Sequence, residues 1–558
     1  MGGPPVSGET RSIAGPAPSP RLADRKNRPD VRQRLAVIAA YLLAGLLLFL
    51  VYLRLSQTYQ LNSDSANILL MGSDLLHGNL LLHGWYMSDV SFYPTELPQY
   101  ALLESFLGVH MQTAHVAAAM TYTLTFLLAV VLARSGSTGR PAWIRTLIAA
   151  GILLAPQFGL GVFALDLSVG HIGTSIPLLL TWLFLDKMPP RTYVPVVVAV
   201  LLAWVLVADP IGYVVGVGPL GAVAAARVIR CLVKGGGGWI QRIAAAWYDL
   251  SLGLAAVAAV VIAWVVNNVL SDMGGYVVNR LPFYLTPWSE LRQNLRALWK
   301  VLEIYAANVH GVSGVWLVLA ILHLASVLLV VWALARVAWR FFDVSLVDQV
   351  LAAAIVLNVV LFVLTNASTE AAHEVAVIAP FGAALAARVL VRPRSATAVA
   401  GRARGPVALA AWAAGIVVLA GYAAGLGYEI TRPTVPAANT GLASWLVAHD
   451  LHYGISGYWT SSSVTVDSDS RVQVRALEKA TLQRDQWMAD GDWYNAKLHY
   501  ANFVVLDNAP GFMNHWEPRA LVEKYFGAPA RTYQTGPYTI VIYDKNLLPD
   551  IPAGYTEG

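Results

Sequence analysis

The chain has 558 residues, 57% of them hydrophobic and only 13% charged, with a mean hydropathy of +0.56. These values exclude an ordinary soluble enzyme and fit a polytopic membrane protein. The formal net charge of +5 sits mostly in short links between apolar runs, so it reports membrane orientation rather than a nucleic-acid partner; the single cysteine, Cys231, excludes an intramolecular disulfide or a cysteine metal cluster.

Residues 1–34 are rich in Pro, Gly and Arg without apolar periodicity and read as a disordered cytoplasmic tail. The first apolar run begins too far from the start for a cleaved signal and no small-residue cleavage site follows it, so that span is expected to stay. Runs long enough to cross a bilayer, about 17 to 25 residues allowing for tilt, fall near 35–55, 113–133, 145–165, 173–186, 192–208, 211–226, 249–269, 313–334, 347–365, 371–390 and 407–428, about eleven spans. Lys and Arg concentrate in alternate links: Arg134, Arg140 and Arg145; Lys187 and Arg191; Arg227, Arg230, Lys234 and Arg242; Arg336 and Arg340; then Arg388, Arg392, Arg394, Arg402 and Arg404. By the positive-inside rule these links and the N-terminus are cytoplasmic, and an odd number of spans sends residues 429–558 outside. Heavy use of Ala, Val, Gly and Arg fits a high-GC bacterial genome. The expected organisation is a tail (1–34), a transmembrane part (35–428) with long outer loops at 56–112 and 270–312, and an extracytoplasmic α/β domain (429–558).

The first long loop carries Asp64, Asp74, Asp89 and Glu96 between residues 63 and 100, with no Lys or Arg. Ser63 reads as the N-cap of a helix whose Ile68, Leu69, Met71, Leu75 and Leu76 lie on the membrane surface, with Gly78 ending it. Asp64 then occupies the positive end of the helix dipole, as a capping-turn residue or as a functional carboxylate. Asp89 and Glu96 have the oxygen chemistry for a divalent cation such as Mg or Mn, at a spacing also common on solvated loops. The second long loop supplies Arg280, Arg292, Arg296 and Lys300. The last three suit the polar face of an interfacial helix, whereas Arg280, in NRLPFY, suits a phosphate. Asp166, His171, Asp209, Glu370, His373 and Glu374 recur at outer ends of spans, where ionisable groups face a cavity or cap a helix.

A span, then an acid at the mouth of the first outer loop in SDS, a juxtamembrane helix ending in LLHGN, and GWYMSDVSFYPTELPQY leading to the second span: this pattern resembles the GT-C superfamily of membrane glycosyltransferases, such as protein O-mannosyltransferases and aminoarabinose transferases. The resemblance covers the topology of the first 430 or so residues and an outer C-terminal domain. In many relatives a second acid follows the first, where Ser65 stands here, which leaves Asp64 as the matching catalytic residue. The resemblance implies sugar transfer from a polyprenyl-phosphate carrier to an extracytoplasmic glycan, lipid or protein, with Asp64 as general base. It also implies that His373, before Pro380 in EAAHEVAVIAP, takes the place of a basic residue directed at the carrier phosphate. Asp89, Glu96, Asp166, His171, Arg280 and Glu374 are the remaining expected substrate-binding residues.

In the C-terminal segment, NTGLASWLVAHD reads as a helix capped by Asn439 or Thr440, GYWTSSSVTVDS and RVQVRAL as a hairpin about Asp469, ANFVVLD as a strand, PRALVEKYFG as a helix and RTYQTGPYTIVIYDK as a second hairpin. Tyr458, Trp459, Trp487, Trp493 and Tyr494 suit either sugar stacking or an aromatic core. No phosphate loop, dinucleotide fingerprint, HExxH or nucleophile elbow occurs. A transporter or lipid flippase, or a noncatalytic glycan-binding envelope protein, are the other classes these features admit.

Overall fold

The computed structural model describes residues 31–156, 160–167, 170–279, 284–306, 312–365, 367–368, 370–391, 406–510 and 515–552. Most of residues 1–34, together with Arg280, Arg392, Arg394, Arg402 and Arg404, therefore lie outside the described residues.

In chain order the helices are α1 (Val31–Ser56), α2 (Ser63–Leu76), α3 (Glu96–Leu107), α4 (Met111–Arg134), α5 (Gly139–Leu153), α6 (Ser175–Lys187), α7 (Tyr193–Ala208), α8 (Gly218–Lys234), α9 (Trp239–Ala245), α10 (Trp247–Asp272), α11 (Leu291–Tyr305), α12 (Val315–Trp339), α13 (Leu346–Leu364), α14 (Ile378–Leu390) and α15 (Pro406–Glu429). Among the described residues, seven helical stretches are long and apolar enough to cross a membrane: Ile38–Ser56, Met111–Arg134, Tyr213–Lys234, Trp247–Asp272, Val315–Trp339, Leu346–Leu364 and Ala371–Leu390. Tyr193–Ala208 and Gly415–Glu429 are shorter apolar helices. Each of the eleven apolar runs meets a helix, but α5, α6 and α7 have only 15, 13 and 16 residues. The run from 145 to 165 leaves the helix after Leu153, and the short helical stretch Leu160–Val162 then leads into a π-helical turn, Phe163–Leu167.

Not every basic residue near a span end is a loose loop charge. Arg388 is 7% exposed and bonds Asp186 at 2.7 Å and Asp348 at 2.5 Å, tying α14 to α6 and α13. Arg145 donates to the carbonyls of Ser135 at 2.9 Å and Val391 at 2.9 Å. Buried charges persist only when paired and hydrogen-bonded in this way.

A three-stranded sheet joins distant parts of the chain. Its centre is β1 (Trp85–Met87) in the first long loop; β2 (Val277–Val278) in the second pairs parallel to it, and β5 (Ala489–Asp490) in the C-terminal segment pairs antiparallel. The core beneath combines Ile68, Leu69 and Met71 of α2 with Trp85, Phe92, Leu97, Tyr276, Val466 and Met488. Ile68, Leu69 and Met71 are fully buried, not laid on the membrane as expected, because α3 and the C-terminal segment cover that face. Burying each such side chain contributes about 1.5 to 3 kcal/mol.

The C-terminal segment continues with α16 (Thr440–Ala448), where Asn439 holds the N-cap position but its side chain, turned to Trp459, Ser463 and Tyr538, makes no capping bond, then β3 (Tyr453–Ser456), α17 (Tyr458–Asp467), β4 (Gln473–Ala476), β5, β6 (Phe503–Asp507), α18 (Arg519–Phe526), β7 (Arg531–Thr535) and β8 (Tyr538–Ile542). Five strands form one sheet in the order β4-β3-β6-β8-β7. The strand, the second helix and the second hairpin fall where the sequence predicts, with Gly536 at φ +52° in the β7–β8 turn. The expected hairpin about Asp469 is wrong. β3 and β4 run parallel, and parallel strands need a crossover, so Tyr458–Asp467 is the crossover helix. Its β-branched residues are buried, and Ser463 and Thr465 return hydroxyl bonds to the carbonyls four residues back.

Candidate functional site

Asp64 stands in the first turn of α2. The helix is capped by Asn62, not Ser63: with an extended backbone (φ −129°, ψ −169°) Asn62 accepts the Asp64 backbone N–H at 3.1 Å, and its Nδ2 donates to Asp64 Oδ2 at 3.3 Å. Capping is therefore the work of Asn62, and the Asp64 carboxylate is free for other partners. At the far end of α2, Gly78 adopts φ +94° just past the last turn, the stop the sequence predicts. A second bond to Asp64 comes from α17, where the Tyr458 hydroxyl donates to Oδ1 at 2.6 Å. Burial lifts the Asp64 carboxyl above its ordinary range, and the bonds from Tyr458 and Asn62 offset part of that rise. The carboxylate opens on a cavity of about 20 Å³ lined by Gln60, Leu61, Ser65, Phe163 and Leu167, besides Asp64 and Asn62.

On the other side of the Phe163–Leu167 turn lies a second group of polar residues. Leu167 lines both spaces: with Asp166, Glu96, Tyr100 and Gly173 it encloses a further cavity of about 20 Å³. Glu96 begins α3, close against Gly173, where any Cβ would overlap its carboxylate. Burial pushes the Glu96 carboxyl up to about 7, against an opposing hydrogen bond from Thr95. Asp166 is 2% exposed and neither of its carboxylate oxygens has a hydrogen-bond partner among the described residues.

The centre of this group is an ion pair in the links before α6 and after α7. His171 Nδ1 lies 2.8 Å from Asp209 Oδ2, which also accepts the Thr174 hydroxyl at 2.5 Å, while Asp209 Oδ1 accepts the Ile211 N–H at 2.9 Å. Burial alone would push the His171 imidazole down, but Asp209 outweighs it and holds the ring at about 9, so the ring is a cation at neutral pH. Burial likewise favours protonating Asp209, and the His171 charge and its bonds win, keeping the carboxyl below the usual range. The His373 ring lies nearly parallel to that of His171, 5.8 Å between centroids. Asp89 and Glu374 both sit in the field of His171 and Asp209. The loop bearing Asp89 is pinned there by Ser91 and Phe92, whose N–H groups donate to the Ala208 carbonyl at 2.9 and 3.2 Å.

The structure thus gathers Asp89, His171, Asp209, His373 and Glu374 electrostatically, sets Glu96 and Asp166 about one cavity, and places Asp64 across the π-helical turn. Arg280 lies outside the described residues. Arg292, Arg296 and Lys300 are exposed on α11, as an interfacial polar face requires. Among the described residues no group of three or more His, Cys, Asp or Glu side chains is arranged to hold a metal ion, Asp89 and Glu96 included. Of the aromatics, Tyr494 is core, 1% exposed; Trp493 packs edge-on to Trp85 with the Arg475 guanidinium 4.3 Å from its ring centroid. Sequence reasoning missed Asn62 and Thr174 and gave Tyr458 no carboxylate. Asn62 was legible as a capping residue next to Ser63; nothing local points from Tyr458 to a residue 394 positions away.

No family model matches the sequence, and neither does any curated protein. The structure of ArnT from Cupriavidus metallidurans, bound to undecaprenyl phosphate, matches it over 91% of this chain and 98% of that one, with a TM-score of 0.51 at 13% sequence identity. The fold is that of ArnT. That fold accounts for a mostly helical, apolar chain with a sheet-containing C-terminal region and long loops whose strands pair with it.

Proposed function

We propose that this chain is a membrane glycosyltransferase moving a sugar from a polyprenyl-phosphate carrier to a hydroxyl of a glycan, lipid or protein, with Asp64 as general base. The observation that carries the reading is Asp64 itself: a part-buried carboxylate at the head of α2, held by Asn62 and Tyr458 beside a cavity, in a chain of GT-C fold. That ArnT was solved with undecaprenyl phosphate supports a carrier of that class. The protein is a multi-pass component of a bacterial plasma membrane, with residues 429–558 and the site on the extracytoplasmic side.

In the proposed step the acceptor oxygen attacks C1 of the sugar while Asp64 takes its proton. The bond from C1 to the phosphate oxygen breaks, and its electron pair leaves on the polyprenyl phosphate. A single displacement inverts configuration at C1. A positioned base contributes about 10²- to 10⁴-fold, and raising the carboxyl above its usual range makes it the better proton acceptor. Charge growing on the departing phosphate calls for positive groups aimed at it. The cationic His171, with His373 stacked beside it, supplies one within the described residues, and Arg280 another from the second loop. Asp89, Glu96, Asp166 and Glu374 offer acceptors for sugar hydroxyls. The test is transfer from radiolabelled polyprenyl-phosphate sugars by the purified protein. Transfer by the parent chain supports the reading; movement of labelled lipid across the bilayer with no glycosidic product sinks it in favour of a flippase.

A further inference from the structure

Where α8 ends and α10 begins there is a pocket of about 430 Å³ that the proposed reaction does not use. Arg227, Arg230, Lys234 and Cys231 line it from α8, Asp249 from the first turn of α10, and Phe342 from the short turn after α12. Three cations face one carboxylate. Asp249 is already committed to Arg227 Nε at 2.7 Å, and Arg227 Nη1 also donates to Gln349 at 3.3 Å. The Arg230 guanidinium is laid over the Phe342 ring, 4.3 Å from its centroid. The Lys234 ammonium, at the last residue of α8, makes no hydrogen bond or ion pair among the described residues. We propose that this pocket binds a phosphate-ester anion, and in the membrane the phosphodiester headgroup of an anionic phospholipid.

Charges left merely to orient a span would be loose and solvated; here two guanidinium groups are fixed, one by a carboxylate and one by an aromatic face, around a concave space with excess positive charge. That is the arrangement in which basic pockets between membrane helices take lipid headgroups through charge-assisted hydrogen bonds. Independent features set the depth. Trp239, Trp247 and Trp339 are 64%, 40% and 88% exposed around the same helix ends, and Trp and Tyr belong at the headgroup level of a bilayer. The link between α8 and α10 is the short helix α9, with Trp239 and Ile240 exposed beside Arg242, as a segment lying in that interface would be. A pocket at this depth meets lipid phosphate before any soluble phosphate.

Cys231, the sole cysteine, makes the pocket directly readable. The full chain is placed in nanodiscs of phosphatidylcholine alone, of phosphatidylcholine with phosphatidylglycerol, or of phosphatidylcholine with added inorganic phosphate, and the rate of maleimide addition to Cys231 is followed. Phosphatidylglycerol is expected to slow the reaction, inorganic phosphate to leave it unchanged, and the double variant Arg230→Gln, Lys234→Gln to weaken the protection about tenfold, the effect of losing charged hydrogen bonds. Equal protection by inorganic phosphate overturns the lipid assignment in favour of a soluble phosphate; equal protection by phosphatidylglycerol in parent and variant overturns the pocket. Native mass spectrometry of the parent chain needs no variant: preferential retention of phosphatidylglycerol over phosphatidylcholine is expected, and equal retention of the two overturns the proposal.

Discussion

The Asp64 carboxylate is poised between two influences: burial, which favours its protonated form, and the hydroxyl of Tyr458, which favours the charged one. Replacing it with Asn keeps its size and leaves the Asn62 cap in place, so folding and donor binding should survive while the transfer rate falls about a hundredfold or more, the weight of a lost base. Transfer within a few-fold of the parent by a well-folded Asp64→Asn protein removes Asp64 from that role. Tyr458→Phe deletes a bond that lowers the Asp64 pKa, so the acidic limb of the pH–rate profile should move to higher pH, with the plateau rate reduced less than in Asp64→Asn. An unmoved acidic limb would show that Tyr458 does not tune Asp64. Glu96 gives a stability test. Its carboxyl is raised from 4.5 to about 7 in the folded chain, so the folded state holds the extra proton in that window and this stabilisation is lost as pH rises through about 7. The melting temperature of Glu96→Gln in detergent should accordingly gain on that of the parent as the pH is raised from about 5 to about 8; parallel curves would contradict the shift.

Elements differ in how openly they announce themselves. Apolar runs of membrane length were legible because lipid imposes one long pattern on each, and every one of the eleven meets a helix; the short α5, α6 and α7 show where polar breaks interrupt that pattern. The serine- and threonine-rich crossover helix α17 was not legible, because its Val, Thr, Tyr and Trp residues favour strands and only the parallel pairing of β3 with β4 demands a helix there. The site shows the same division. The acids at outer span ends could be picked out singly, since ionisable groups are rare near apolar runs, but the His171–Asp209 pair and the Tyr458–Asp64 bond depend on contacts that no sequence period encodes. At Gly173 close packing replaces hydrogen bonding as the organising force. Gly173→Ala should displace the Glu96 carboxylate at a cost of about 1 to 3 kcal/mol of overpacking, and Glu96→Ala in the same chain should recover most of it. Additive losses in that double-mutant cycle would show that the two residues do not meet.

For the whole molecule the distribution of basic residues predicts opposite sides for the two ends of the membrane part. A reporter fused after Gly558 should be extracytoplasmic and one inserted between residues 227 and 242 cytoplasmic; both on one side would refute the proposed orientation. The three-stranded sheet adds a temporal dimension. Trp85 pairs with Asp490, and Tyr86 with both Val277 and Ala489, so its central strand waits for partners made far later during synthesis. Contacts of such long sequence separation form late. The ribosome must therefore deliver more than 450 residues before Tyr458 can reach Asp64, and a chain cut short of residue 489 is left without the antiparallel partner of its central strand.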